Sequence, residues 1–151
     1  MESKPHYIKK YAMLATCQLN QWAMSFLHNR DNIIQSIRKC RSLGAAYRLG
    51  PELEITGYGC EDHFFELDTV RHSWEMLADI LKDKELTHDL LCDIGMPVIY
   101  KTTLYNCRVY CLNQEIILIR PKMYMAGGNN YREDRWFSPW SQQGVHAAVE
   151  F

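Results

Sequence analysis

The chain reads as α/β, with helices covering one face of a mixed sheet, and three observations carry that reading. Apolar periodicity alternates between strand-like and helix-like spacing in the order β-α-β-α-β-β-β. The last two strand-like segments meet at Asn113-Gln114, a two-residue turn that makes part of the sheet antiparallel. Turn residues stand where the period changes, at Gly44, at Gly50-Pro51 and across Ala126-Gly127-Gly128-Asn129-Asn130.

Met13 to Cys17 is the first strand, short and expected to be buried, with basic residues before it. Asp31 to Leu43 follows as an amphipathic helix. Ile33, Ile37 and Cys40 fall on its apolar stripe while Arg38, Lys39 and Arg41 point elsewhere. Asn29 or Asp31 suits its start, and Gly44 suits the left-handed position after its last turn. Ala46 to Leu49 is the second strand. A second helix, capped by Asp68 or Thr69, runs to about Lys84 with Val70, Trp74, Leu77, Ala78 and Leu81 on one stripe. Leu90 to Tyr100 is the third strand, where Gly95 and Pro97 suggest a bulge or a sheet edge. Tyr105 to Leu112 and Glu115 to Ile119 form the hairpin.

With 151 residues, 47% of them hydrophobic and 23% charged, the chain can bury a real core and is not a disordered tail. A net charge of −1 with dispersed Lys and Arg gives no electrostatic footprint for nucleic acid. No stretch approaches the roughly 18 apolar residues of a membrane span, and Met1 to Lys10 lacks the apolar run of a secretory signal. A reducing, cytoplasmic setting is therefore expected, with the six cysteines as thiols. Cys60 and His63 make a lone C-x-x-H pair without a second pair at zinc spacing, so no metal is expected.

Two side chains stand at strand ends, where α/β folds present chemistry. Glu52 follows the second strand and the Gly50-Pro51 turn, placed to take a proton from a nucleophile. Lys122 follows the last strand and Arg120-Pro121, placed to hold a developing oxyanion. Each taken alone is more often a solvated surface charge. Glu133, flanked by Arg132 and Arg135, reads on its own as a surface ion-pair cluster.

The wider context changes the weighting. Pro51-Glu52-Leu53-Glu54-Ile55-Thr56-Gly57-Tyr58-Gly59-Cys60, with Asp62-His63, resembles the first signature of the nitrilase superfamily. Ala15-Thr16-Cys17, Leu19-Asn20-Gln21-Trp22, Cys92-Asp93-Ile94-Gly95-Met96-Pro97, Tyr105-Asn106-Cys107-Arg108, Leu118-Ile119-Arg120-Pro121-Lys122 and Asn130-Tyr131-Arg132-Glu133 extend the likeness in order. Together these segments look like the amino-terminal glutaminase domain of eukaryotic glutamine-dependent NAD synthetases, from about Tyr11 to Trp140.

The resemblance implies the first half of a four-layer α-β-β-α sandwich, a partial carbon–nitrogen hydrolase domain over residues 1–140 with a divergent tail at 141–151. It implies a general base at Glu52, an anion-stabilising Lys122, and a Glu133 that supports the lysine. Glutamine is the substrate it implies. ATP, Mg2+ and deamido-NAD belong to a separate synthetase domain, and the full-length enzyme is expected to be a homo-oligomer. The family's nucleophilic cysteine lies beyond the lysine signature, in a context that none of the six cysteines shares. The chain alone is therefore expected to be inactive. Half a sandwich is further expected to expose an apolar sheet face and to associate. A fragment of another nitrilase-type amidase or carbamoylase shares the Glu52 and Lys122 signals, and a third reading is a short non-catalytic product that binds full-length subunits.

Overall fold

The structure, a computed structural model, describes residues 11–141. In chain order these form β1 (Leu14–Thr16), α1 (Phe26–Ser42), β2 (Tyr47–Leu49), a 3-10 turn (Glu61–Phe65), α2 (Leu67–Lys82), β3 (Leu91–Tyr100), β4 (Thr103–Leu112) and β5 (Glu115–Pro121). A two-stranded ribbon of β6 (Gly127–Gly128) and β7 (Tyr131–Arg132) leads into the short helix α3 (Glu133–Trp136). The main sheet has the order β1-β2-β3-β4-β5. Its first three strands are parallel, joined by helical crossovers, and its last three are antiparallel.

Strand parity sorts the sheet into two faces. Cys92, Ile94, Met96 and Val98 of β3 and Cys107, Val109 and Cys111 of β4 all meet Ile33, Ile37 and Cys40 of α1 and Met76, Leu77 and Ile80 of α2 in one core. Both helices thus lie on the same face of a mixed sheet, as expected. The opposite face carries Tyr47, Leu49, Asp93, Arg108, Tyr110, Leu118 and Arg120, by their cross-strand pairing. It is polar along its centre. The face expected to be apolar is mixed: Asp93 and Arg108 pair with each other there at 2.5 Å, flanked by Tyr47, Leu49, Tyr110 and Leu118.

Several local expectations need correction. β1 is an edge strand, not a buried one, with Met13 54% and Leu14 67% exposed. α1 starts at Phe26, and neither Asn29 nor Asp31 caps it. Asn29 is fully buried in its first turn, where its side chain accepts from the Trp22 N–H (2.9 Å) and donates to the carbonyls of Trp22 (2.8 Å) and Ile55 (3.0 Å). It pins the helix to the loop that follows β2. Gly44 does take the left-handed conformation, at φ +72°.

The inward stripe of α2 runs through Thr69, Val70, Ser73, Met76, Leu77 and Ile80, while Ala78 is exposed. Polar residues can face inward there because Ser73 donates to the Thr69 carbonyl and Thr69 to that of His63, both at 2.7 Å. β3 lies in the middle of the sheet despite Gly95 and Pro97, and its register with β4 runs unbroken from Cys92 to Tyr100. β2 pairs only with Leu91 to Asp93, so the N–H that Pro97 lacks falls on a flank no strand reaches. The single bulge lies between β4 and β5, at Tyr110/Cys111.

Candidate active site

The Gly50-Pro51 turn ends β2 and sends the chain across the end of the sheet as the loop 50–57. Gly95 makes that crossing possible: a Cβ there would stand 2.6 Å from the Leu53 nitrogen and 2.7 Å from the Pro51 oxygen. The Ile55 N–H donates to the Gly95 carbonyl at 3.2 Å, so loop and strand lie in backbone contact. Inside the loop, Glu54 is fully buried and takes both ends of the Arg48 guanidinium, at 2.8 and 2.7 Å. Ser36 accepts from the same guanidinium at 2.8 Å. Burial pushes the Glu54 carboxyl up, opposed by the Arg48 charge and its hydrogen bonds. Both charges stay paired in the interior.

This anchoring leaves Glu52 on the open side. Its Oε1 accepts from Lys122 Nζ at 2.7 Å and from Asn106 Nδ2 at 2.5 Å. Lys122 comes from the end of β5, where its N–H bonds the Asn106 carbonyl at 2.8 Å. A second carboxylate, Glu133 at the start of α3, takes the same ammonium at 2.6 Å. Glu133 also accepts from the Ala126 N–H (2.6 Å), the Tyr58 hydroxyl (2.9 Å) and Asn106 Nδ2 (3.2 Å).

The structure therefore brings Glu52, Lys122 and Glu133 together from three elements. The reading of Glu133 as a surface ion-pair residue is overturned: its side chain is 2% exposed, and Arg135 pairs with Asp62 instead. Burial pushes Glu133 up, but its hydrogen bonds outweigh that and hold it at about 2. Burial pulls Lys122 down, and the two carboxylates more than restore it, so the ammonium stays charged. With every contact satisfied, Glu133 is suited to hold the lysine and not to move protons. Glu52 lines a cavity of about 510 Å³ together with Leu49, Asn106, Arg108, Lys122 and Tyr124.

Asn106 and Tyr58 complete the cluster, and neither stood out in the sequence. Asn106 had its place in the Tyr105–Arg108 segment and its polar side chain within an alternating strand; the structure buries it. Tyr58 had only its place in the glutamate signature, because its partner lies 75 residues away.

No thiol joins the site. Cys92, Cys107 and Cys111 lie in the core, where burial pushes each thiol up to about 12. Cys40, also buried, is pushed up to about 11 by burial and by its contact with Cys17 at 3.8 Å. Cys60 donates to the carbonyls of Thr56 and Gly57, and burial raises it. Its C-x-x-H partner His63 is exposed and meets Glu66 at 3.0 Å. Among the described residues no group of three or more His, Cys, Asp or Glu is gathered as a metal would require, and no helix is long and apolar enough to cross a membrane.

The carbon-nitrogen hydrolase family model matches residues 13–150. The chain is 63% identical over 136 residues to a glutamine-dependent NAD(+) synthetase of Dictyostelium discoideum, covering 90% of the chain and 19% of that protein. The corresponding figures are 59% over 132 residues for the Saccharomyces cerevisiae enzyme (87% and 18%) and 54% over 129 for the human one (85% and 18%). The chain thus spans about a fifth of the length of these relatives. Among solved structures, a glutamine-dependent NAD(+) synthetase from Cytophaga hutchinsonii superposes with a TM-score of 0.85 at 25% identity, over 92% of this chain and 23% of that one. An amidase from Nesterenkonia sp. shares the fold at a TM-score of 0.72 and 19% identity, over 89% of this chain and 51% of that one. By family match and similar relatives alike, the chain belongs to the carbon–nitrogen hydrolase family.

Proposed function

We propose that the chain supplies the glutamate–lysine–glutamate part of a glutaminase site within a glutamine-dependent NAD synthetase. The observation that carries this reading is Lys122 Nζ held at 2.7 Å from Glu52 and 2.6 Å from Glu133, on a chain so similar to such synthetases over nine tenths of its length.

Glu52 acts as the general base. It takes the proton of a cysteine thiol, and the thiolate attacks the side-chain amide carbon of glutamine. Lys122 uses two of its three N–H bonds on the carboxylates and offers the third to the developing oxyanion. Collapse of the tetrahedral intermediate, with a proton returned to nitrogen, releases ammonia and leaves a thioester. Water, deprotonated by Glu52, then frees glutamate and the thiol. Glu133 keeps the ammonium in place. The thiol is none of the chain's own six, because five are buried and the sixth, Cys17, is paired with Cys40 away from the cluster. In the whole enzyme the ammonia amidates ATP-activated deamido-NAD, with ATP and Mg2+ held outside this segment. We further assign that enzyme to a homo-oligomer in the reducing cytoplasm.

Two measurements test this. The purified chain should release no more ammonia from glutamine than its Glu52→Ala variant, since loss of a nucleophile costs on the order of 10^6 in turnover. A chimera carrying this chain in place of the matching segment of the yeast relative should make NAD from glutamine or from ammonia. In it, Glu52→Gln or Lys122→Ala should abolish the glutamine-dependent rate and spare the ammonia-dependent one. A glutamine-dependent rate within twofold of the parent in either variant would overturn the assignment.

A further inference from the structure

Glu52 sits on a loop, so something outside regular structure must fix its carboxylate. We propose that Arg108 is a positioning residue for Glu52, itself set by Asp93 and Tyr47; the inference rests on the glutaminase reading.

The loop 50–57 is gripped from two sides. The inner grip is Glu54 on Arg48, both side chains fully buried. Removing either partner strands a buried charge, so that pair answers for folding. The outer grip is Arg108. Its guanidinium donates to the carbonyls of Pro51 (2.8 Å), Gly50 (3.0 Å) and Asp93 (2.9 Å). The Pro51 carbonyl belongs to the same rigid peptide unit as the Glu52 N–H, so holding that oxygen sets the plane from which the Glu52 side chain departs.

Arg108 is fixed in turn. Its Nε donates to Asp93 Oδ1 at 2.5 Å, and the Tyr47 hydroxyl donates to Asp93 Oδ2 at 2.6 Å. Gly95 leaves no slack, because a Cβ there would stand 2.9 Å from Arg108 Nη1. Asn106 lies two residues before Arg108 on the same face of β4 and holds Glu52 Oε1 at 2.5 Å. One strand thus grips the base twice, at its carboxylate through Asn106 and at its peptide through Arg108. Unlike Arg48, Arg108 retains 21% side-chain exposure, so its replacement leaves a cavity that water can enter.

The test uses the yeast chimera, reading kcat and KM for glutamine, the ammonia-dependent rate and thermal stability. Arg108→Gln should lower the glutamine-dependent kcat about 10- to 100-fold, the cost of a misplaced catalytic group. KM should stay within about threefold and the ammonia-dependent rate within about twofold. Arg108→Lys, which keeps the charge but loses the fork, should recover part of the loss. Asp93→Asn, which keeps Arg108 and the volume, should cost a smaller factor of the same kind. A folded Arg108→Gln chimera with kcat within threefold of the parent would overturn the proposal, as would equal losses with glutamine and ammonia. If Arg108→Gln does not fold, Arg108→Lys and Asp93→Asn decide, and unchanged kcat in both would overturn it. Failure of the glutaminase reading itself would be seen separately, as a Glu52→Gln chimera that still uses glutamine.

Discussion

Lys122 lies between two carboxylates that differ in exposure, Glu52 at 39% and Glu133 at 2%. Burial alone would raise the pKa of the buried one; it is held low by the Glu52 side chain beside it, the Ala126 N–H, the Lys122 ammonium and the Tyr58 phenol, partners that exist only in the fold. Its neutral replacement is therefore costly at neutral pH and cheaper in acid. Glu133→Gln should destabilise the chain by about 2 kcal/mol at pH 7, the scale for hydrogen bonds that lose their charged partner. The folded pKa of Glu133 is depressed, so its charge stabilises the fold above the unfolded value of about 4.5, and that contribution is lost as pH falls through about 2. Urea midpoints of the two proteins should differ most from pH 5 to 7 and converge as pH falls below about 4.5. A pH-independent difference would show that the charge is not what matters. Little of this was legible in Arg132-Glu133-Asp134-Arg135. Neighbouring charges suggest local pairing, whereas α3 turns Glu133 inward toward a lysine 11 residues back and gives Arg135 to Asp62.

At the scale of elements, periodicity carried further. α1 and α2, the hairpin at Asn113-Gln114 and the strand ends bearing Glu52 and Lys122 all follow from apolar spacing and turn residues. What periodicity missed was local. Lys101-Thr102 joins β3 to β4 with φ of +46° and +65°, although neither residue favours that conformation. The sheet overrides local preference there, because the long β3–β4 ladder sets the turn. Gly95 was read as the mark of a bulge or a sheet edge in β3, yet it is the place where the loop bearing Glu52 lies against the strand. Gly95→Ala should therefore destabilise by about 2 kcal/mol, the range for overpacking a tight contact, where an ordinary strand interior would gain from alanine. Chemical denaturation of the two proteins measures this. A stabilised Gly95→Ala variant would show that the loop has room to move.

Across the whole molecule, the covered face of the sheet is apolar apart from the buried Arg48–Glu54 pair and the open face is charged along its centre, so the thiols sort with the core and the site residues with the opening. Alternation alone could place Cys107 and Asn106 on opposite faces of β4, but not say which face would stay open, since that depends on where both helices pack. The division has a chemical consequence. Cys40, Cys60, Cys92, Cys107 and Cys111 are buried and Cys17 is half-buried at the end of the edge strand. A thiol held at about 12 is almost wholly protonated at pH 8, and the thiolate is the reacting form. An aromatic disulfide reagent at pH 8 should therefore modify one cysteine quickly in the native chain, and Cys17→Ser should abolish that phase. The other five should react only as the chain unfolds, with the same urea midpoint as the loss of helical signal. Rapid native modification of two or more thiols would show that the core opens more readily than its packing implies.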